Sequence, residues 1–231
     1  MLVSLVLLAH NEAAVIADEI RSFKDAVISR LPGSELVVAE DGSRDGTRDR
    51  IVDVSREVPL RLLGGTERLG YRRAVLNALA STTGEWICFA DSGLKHDPAD
   101  FWRLWNARDG HALVVGQRTN REDHWYRQVF TTGFNVVVRS LFDVPLQDSD
   151  SGLRLMHRSL ASSIVASGLF FRNFSSTEVA LRALAAGFRV KEVPVSYRQR
   201  EGESRGMPLR GIPKSILGAL SDLWRLRREL R

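Results

Sequence analysis

The stretch Ala90-Asp91-Ser92-Gly93-Leu94-Lys95 ends an apolar run, Trp86–Ala90, on a single carboxylate. A second carboxylate two residues on would complete a pair suited to a divalent cation, but that position is Gly93, and an ammonium, Lys95, follows. Three chemistries fit these residues: a cation site with one ligand fewer, a site where Lys95 supplies the positive charge, or an ordinary turn. Mg2+ is commonly held by one or two carboxylates, with phosphates and waters completing its shell, so one missing carboxylate does not abolish a site. An ammonium has no lone pair to give a cation and repels it. Further along the same logic, Glu40 and Asp41 close another apolar run ahead of Gly42-Ser43-Arg44-Asp45-Gly46-Thr47. Paired carboxylates there suit ribose hydroxyls, base N–H groups or a metal. A turn whose Asp and Thr cap the next helix accounts for the same residues.

These groups need a frame, and the apolar pattern supplies one. Strands are predicted at 2–9, 35–40, 60–63, 85–90 and 111–118. Helical spacing joins them: Ile16, Ile20, Phe23, Val27 and Leu31, then 47–57, 70–82 and a segment with Pro98 in its first turn. Strand–helix–strand alternation predicts an α/β fold with right-handed crossovers and a mostly parallel sheet flanked by helices. Ligands bind such sheets beyond the carboxyl ends of the strands. His10, Asn11 and Glu12 follow the first strand, Glu40 and Asp41 the second, Asp91 the fourth and Arg118 the fifth. That shared placement is the main argument for an active site. Beyond it the pattern is less regular: a helix at 122–141, an acidic loop at 146–154, helices near 158–167 and 175–186, and an alternating strand-like stretch at 188–200.

Composition sets outer limits. The chain has 231 residues, 44% hydrophobic and 26% charged, enough for one domain with a full core. Its one cysteine, Cys88, lies in an apolar run and reads as a buried structural thiol, and the absence of a disulfide partner fits a reducing, cytoplasmic setting. The N-terminus is apolar for eight residues after Met1, with no basic start or cleavage site, which predicts no signal peptide. No run nears the roughly 20 apolar residues that span a bilayer. The net charge of +5 sits in residues 198–231, where nine basic residues face four acidic ones. Such a tail suits an anionic partner. No recognition motif accompanies the charge, so nucleic acid is not expected. Ile212, Ile216, Leu220, Leu223, Trp224 and Leu230 form one broad apolar face there, with Lys214, Arg225, Arg228 and Arg231 beside or opposite it. This helix, at 207–231 of an otherwise single domain (1–206), is expected at a membrane surface, with packing on the domain or a homodimer as the alternatives.

Taken in order, "LLAHNEA", "VVAEDGSRDGT", "ADSGLKHDP", "GQR", "DSDSGLR", "TEVALRALAAGFRVKEVPV" and "RQREGESR" resemble the family 2 inverting glycosyltransferases of the GT-A fold. The likeness runs over about residues 2–205 and is nearest to the dolichol-phosphate mannosyltransferase-like, polyprenyl-phosphate glycosyltransferase group. It implies a hexose transfer from a nucleoside diphosphate sugar, with Mg2+ or Mn2+ as cofactor. Asn11, Glu12, Glu40 and Asp41 would hold base and ribose, joined by Asp91 and Ser92. Asp91 would face the diphosphate, directly or as the one tentative metal ligand, and is carried as catalytic with Asp148, Arg118 and Arg200. Lys95, Arg118, Arg154, Arg200, Ser204 and Arg205 would meet the diphosphate or an acceptor phosphate. Ser151 and Gly152 would shape the acceptor side, and Glu178 matches an acidic residue on a late helix.

Chemistry supports the basic loop: the departing nucleoside diphosphate gains negative charge, which Arg, Lys or a metal stabilises. The sequence departs from the family at Leu8, Glu40 and Arg68, and above all at Gly93 and Lys95. The acceptor sets what else is needed. A phosphomonoester, with a second pKa near 6, attacks without losing a proton. A hydroxyl needs a base such as Asp148 or Asp150. The "SGLR" loop and Arg118 favour a polyprenyl phosphate; a sugar or metabolite hydroxyl is the alternative, and a nucleotide-sugar-binding pseudo-enzyme the reading from another class.

Overall fold

The structure, a computed structural model, describes residues 2–119, 125–198 and 212–230. Among them, β1 (Val3–Ala9), β2 (Glu35–Glu40), β3 (Arg61–Leu63), β4 (Trp86–Asp91), β5 (Leu113–Thr119), β6 (Arg154–His157) and β7 (Val190–Ser196) form one sheet, in the order β3-β2-β1-β4-β6-β5-β7. The helices are α1 (Ile16–Ala26), α2 (Thr47–Val54), α3 (Tyr71–Ser81), α4 (Phe101–Asn106), α5 (Trp125–Phe142), α6 (Arg158–Ser167), α7 (Ser175–Ala185) and α8 (Ile212–Glu229). All seven residues of β1 are buried, which fits a central strand covered on both faces. Its side chains alternate: Val3, Leu5, Leu7 and Ala9 pack with Ile16, Ile20 and Phe23 of α1 and Phe101 of α4. Val6 and Leu8 pack with Val75 and Leu79 of α3, Leu160 of α6 and Val179 of α7. The result is three layers with two cores, one on each side of the sheet.

The expectation of a mostly parallel sheet holds, with one strand that the sequence pattern did not reveal. Four residues after the acidic loop form β6, which runs antiparallel to both β4 and β5. Its apolar residues, Leu155 and Met156, are too few to show a period. The reversal matters for chemistry. Arg154 begins β6 beside Phe89 of β4 and Val115 of β5, so the loop before it lies at the edge where β4 and β5 end.

The C-terminal helix differs from expectation. Its buried side is Ala219, Leu223 and Leu226, packed with Phe134 and Val138 of α5 and with Phe171 and Leu181. Ile216, Leu217 and Trp224 are exposed. The apolar face read from the sequence was therefore rotated, because Leu226 completes the i, i+4 and i+7 row, with Ala219 and Leu223, that docks on the domain. Asp222 accepts the Arg172 N–H at 3.2 Å and Glu229 accepts Arg182 Nη1 at 2.8 Å, so polar groups fix the same seat. The buried side of the helix is a part of the domain wall, which is the packing alternative named above. Among the described residues no helix is long and apolar enough to cross a membrane. Leu226→Ala should cost about 2–5 kcal/mol in urea unfolding, whereas Ile216→Ala should stay within about 0.5 kcal/mol.

Candidate active site

Parallel pairing brings the expected residues to one edge. Ala9 stands level with Glu40, and Leu8 level with Asp91. Beyond β1, Asn11 takes a left-handed conformation (φ +55°). Its N–H donates to Ser43 Oγ at 2.8 Å and its Oδ1 accepts the Arg44 N–H at 2.8 Å. The Glu12 N–H donates to Thr47 Oγ1 at 2.6 Å. Glu40 accepts the Ser43 N–H and pairs with Arg48 Nη1 at 3.2 Å. Asp41 accepts the N–H groups of Leu69 (2.7 Å) and Gly70 (2.9–3.0 Å), immediately before α3. Its carboxylate thus fixes the entry of α3. Ser92 donates its hydroxyl to the Leu8 carbonyl at 2.7 Å and is 3% exposed, so its side chain ties β4 to β1 instead of facing a nucleotide.

Asp91 lies at the centre. Tyr71, the first residue of α3, donates its O–H to Asp91 Oδ1 at 2.9 Å, and Arg154 Nη2 donates to the Tyr71 oxygen at 2.9 Å. Burial would raise the Asp91 pKa, but Lys95, Arg154 and His96, with the Tyr71 hydrogen bond, hold it below the ordinary carboxylate value. Arg154 is 1% exposed, so it acts from beneath the site through its charge and Tyr71, not as a surface phosphate contact. Burial pushes His96 down to about 4, and the ring is neutral at neutral pH. Gly152 lets the acceptor-side loop approach this centre, since a β-carbon there would collide with the Asp91 carboxylate.

Across β6, Arg118 and Asp148 form a fork. Nε donates to Oδ2 at 2.7 Å and Nη2 to Oδ1 at 2.6 Å, while the Arg118 N–H adds a third bond at 3.0 Å. Glu192 of β7 accepts the N–H groups of Gln147 and Asp148, each at 2.7 Å. A carboxylate with both oxygens held by a guanidinium is a poor proton acceptor, so Asp148 orients Arg118. Asp150 is the contrasting carboxylate. Burial, opposed by Arg118 and reinforced by Asp91, pushes it up to about 7, where a general base is most effective. Beside the fork, between β5 and α5, lies a cavity of about 240 Å³ lined entirely by polar residues, among them Arg118, Thr131, Asn135, Arg139, Gln147 and Asp148.

The donor set at Asp91 admits a cation at its lower limit. No group of three His, Cys, Asp or Glu side chains suited to a metal exists among the described residues. One carboxylate with ligand phosphates still suffices for Mg2+. Gly93 is more than a lost ligand. Its φ is +106°, a region that L side chains avoid, and a β-carbon would sit 3.4 Å from both Glu12 carboxylate oxygens.

Glu178 lies elsewhere. It is fully buried and accepts the N–H groups of Phe170 and Phe171 and Nε of Arg182, a structural role. Arg200, Ser204 and Arg205 lie outside the described residues. Sequence reasoning missed Tyr71, His96 and Tyr197, whose ring sits 6.0 Å from His96 and 5.4 Å from the Arg118 guanidinium. Only Tyr71 carried a signal, as the first residue after Gly70 at a strand-to-helix junction.

The chain matches the domain described as Glycosyl transferase family 2 over residues 4–165. It belongs to that family. Among solved structures, glucosyl-3-phosphoglycerate synthase from Mycobacterium tuberculosis, in complex with Mn2+, UDP and glucosyl-3-phosphoglycerate, superposes with a TM-score of 0.73 at 21% identity. That match covers 96% of this chain and 80% of the other. The same enzyme with Mn2+, UDP-glucose and phosphoglyceric acid gives a TM-score of 0.70 at 21% identity, over 96% and 79% of the two chains. At this identity the superposition supports the GT-A architecture of the glycosyltransferase. The family match does not extend to the dolichol-phosphate mannosyltransferase-like group that the motifs resembled.

Gly93→Asp, which writes the second carboxylate back in, should lower stability by about 1–3 kcal/mol in urea unfolding because of the positive φ. It should not tighten Mn2+ binding measured by calorimetry; a gain in affinity would show that the position tolerates a ligand.

Proposed function

We propose that this family 2 glycosyltransferase moves a hexose from a UDP-sugar, with inversion, to a hydroxyl of a small acidic metabolite. The observation that carries this reading is the 240 Å³ cavity beside Arg118. Its described lining consists of polar residues, includes a second guanidinium in Arg139, and among the described residues sets no apolar side chain against a prenyl chain. A small phosphorylated or carboxylated acceptor suits it. The synthase complexes with UDP-glucose and phosphoglyceric acid support the same class of donor and acceptor. The polyprenyl phosphate favoured by the motifs gives way to this alternative.

In this reading Asn11, Glu12 and the Glu40–Asp41 turn frame the nucleotide, while Lys95 faces the diphosphate. The acceptor hydroxyl attacks the anomeric carbon as its proton passes to Asp150, and the bond from that carbon to the diphosphate oxygen breaks. Arg118, fixed by Asp148, and Arg139 hold the acceptor's acidic group. Mg2+ or Mn2+ held by Asp91 would supply charge neutralisation at the diphosphate.

Assays should offer UDP-glucose with phosphoglycerate, glycerol phosphate, neutral sugars and polyprenyl phosphate in parallel. Transfer to a small acid is expected; transfer to polyprenyl phosphate alone would overturn the reading. For the productive acceptor, kcat should rise with pH up to about 7, where Asp150 loses its proton, and a cation at Asp91 would move this limb lower. Asp150→Asn should abolish the limb and cost about 10²–10⁴ in kcat. Excess chelator should remove activity in both the native protein and Lys95→Ala; full activity in chelator would eliminate the cation and assign its charge to Lys95.

A further inference from the structure

Glu19 is a carboxylate with 1% exposure on the first turns of α1, where the amphipathic pattern calls only for apolar side chains on the buried face. Its Oε2 accepts the Gly93 N–H at 2.9 Å and its Oε1 accepts the Leu94 N–H at 3.2 Å. Two successive N–H groups converging on one anion is how backbone cradles a phosphate; here a side chain from the protein fills the cradle. Gly93 and Leu94 both have positive φ, +106° and +55°. For leucine that conformation costs about 1–2 kcal/mol and persists only where surrounding contacts impose it.

The tethered peptides lie between Asp91 and Lys95, the two groups assigned to the diphosphate. The rest of the turn is fixed by main-chain partners elsewhere in the fold. Ser92 donates N–H and hydroxyl to the Leu8 carbonyl at 3.1 and 2.7 Å, and the Lys95 carbonyl accepts the Arg198 N–H at 2.9 Å. Leu8 holds the Asp91 side and Arg198 the far end, and among the described residues Glu19 holds the peptides between them. Burial and the nearby Glu12 carboxylate raise its pKa to about 7, opposed by the two N–H groups and Lys95. An isolated buried acid is costly, and its retention here is matched by what it holds.

We propose that Glu19 is a positioning residue: it clamps the Gly93–Leu94 peptides and thereby aims Asp91 and Lys95 at the donor's diphosphate. This rests on the transferase reading above. It also gives Gly93 a reason of its own. Gly93 takes its φ of +106° without the strain a side chain would bring, so an aspartate at this position would work against the clamp.

The test is Glu19→Gln in the full chain, an isosteric change that keeps one acceptor but turns an NH2 group against the second N–H. Glu19→Ala serves as the more severe partner. Hydrogen exchange at the Gly93 and Leu94 amides reads the clamp without any ligand. Calorimetry with UDP, and steady-state KM values for donor and acceptor, read its consequence. In Glu19→Gln those two amides should exchange at least about tenfold faster. The Kd for UDP and the donor KM should rise about three- to tenfold, with acceptor KM little changed. Faster exchange with unchanged UDP affinity would overturn the inference, leaving Glu19 a strut. So would donor and acceptor constants worsening together with a fall in the thermal midpoint. If the native protein binds no nucleoside diphosphate while the exchange difference persists, the transferase reading fails, and the positioning role with it. If Glu19→Gln does not fold, Glu19→Asp, which keeps the charge and shortens the reach, takes its place: faster exchange at the two amides together with weaker UDP binding is expected, and faster exchange with unchanged UDP affinity would overturn the proposal.

Discussion

A guanidinium buried inside a β-sheet must find negative charge close by, and Arg154 is such a group. It begins β6, the one reversed strand, above the face of Phe89 at 5.5 Å. Its charge acts on Asp91 and Asp150, and one of its nitrogens reaches Asp91 through Tyr71. Much of the site follows from this. Asp91 stays ionised because cationic groups surround it. Asp150, farther from full compensation and next to other carboxylates, keeps its proton to near neutrality. Two neighbouring acids therefore acquire different proton affinities from burial and from the charges beside each, Lys95 and Arg154 at Asp91, Arg118 and the neighbouring carboxylates at Asp150.

The same principle orders the periphery. Asp41 spends its carboxylate on the N–H groups of Leu69 and Gly70, and so decides where α3 starts and where Tyr71 stands. Asp148 fixes Arg118, and Glu192 in turn fixes the backbone of Asp148. Several residues expected to touch ligands are thus the supports that aim others. Preorganised supports of this kind let a site hold charge without reorganising during the reaction.

The parallel half of the fold was legible because buried strands and amphipathic helices repeat over enough residues to show their period. The edge of the sheet was legible for the same reason: Asn11, Glu40, Asp91 and Arg118 each follow an apolar run. Short or non-local features were not. β6 is four residues long, and the docked face of α8 depended on which side α5 and α7 present. His96, Tyr197 and Glu19 gave no local signal, since each matters through a partner far along the chain.

Residue type and order by themselves determined the family, the α/β architecture and the edge on which the chemistry sits. These depend on local periodicity and on motifs whose spacing is written along the chain. Tertiary structure alone decided which carboxylate is locked and which can take a proton, which arginine lies beneath the site and which lines the cavity. It also decided that Gly93 serves a backbone clamp as well as lacking a ligand. Proton affinity and reach depend on burial and on charges brought together across the sheet, and neither is a property of any single stretch of sequence.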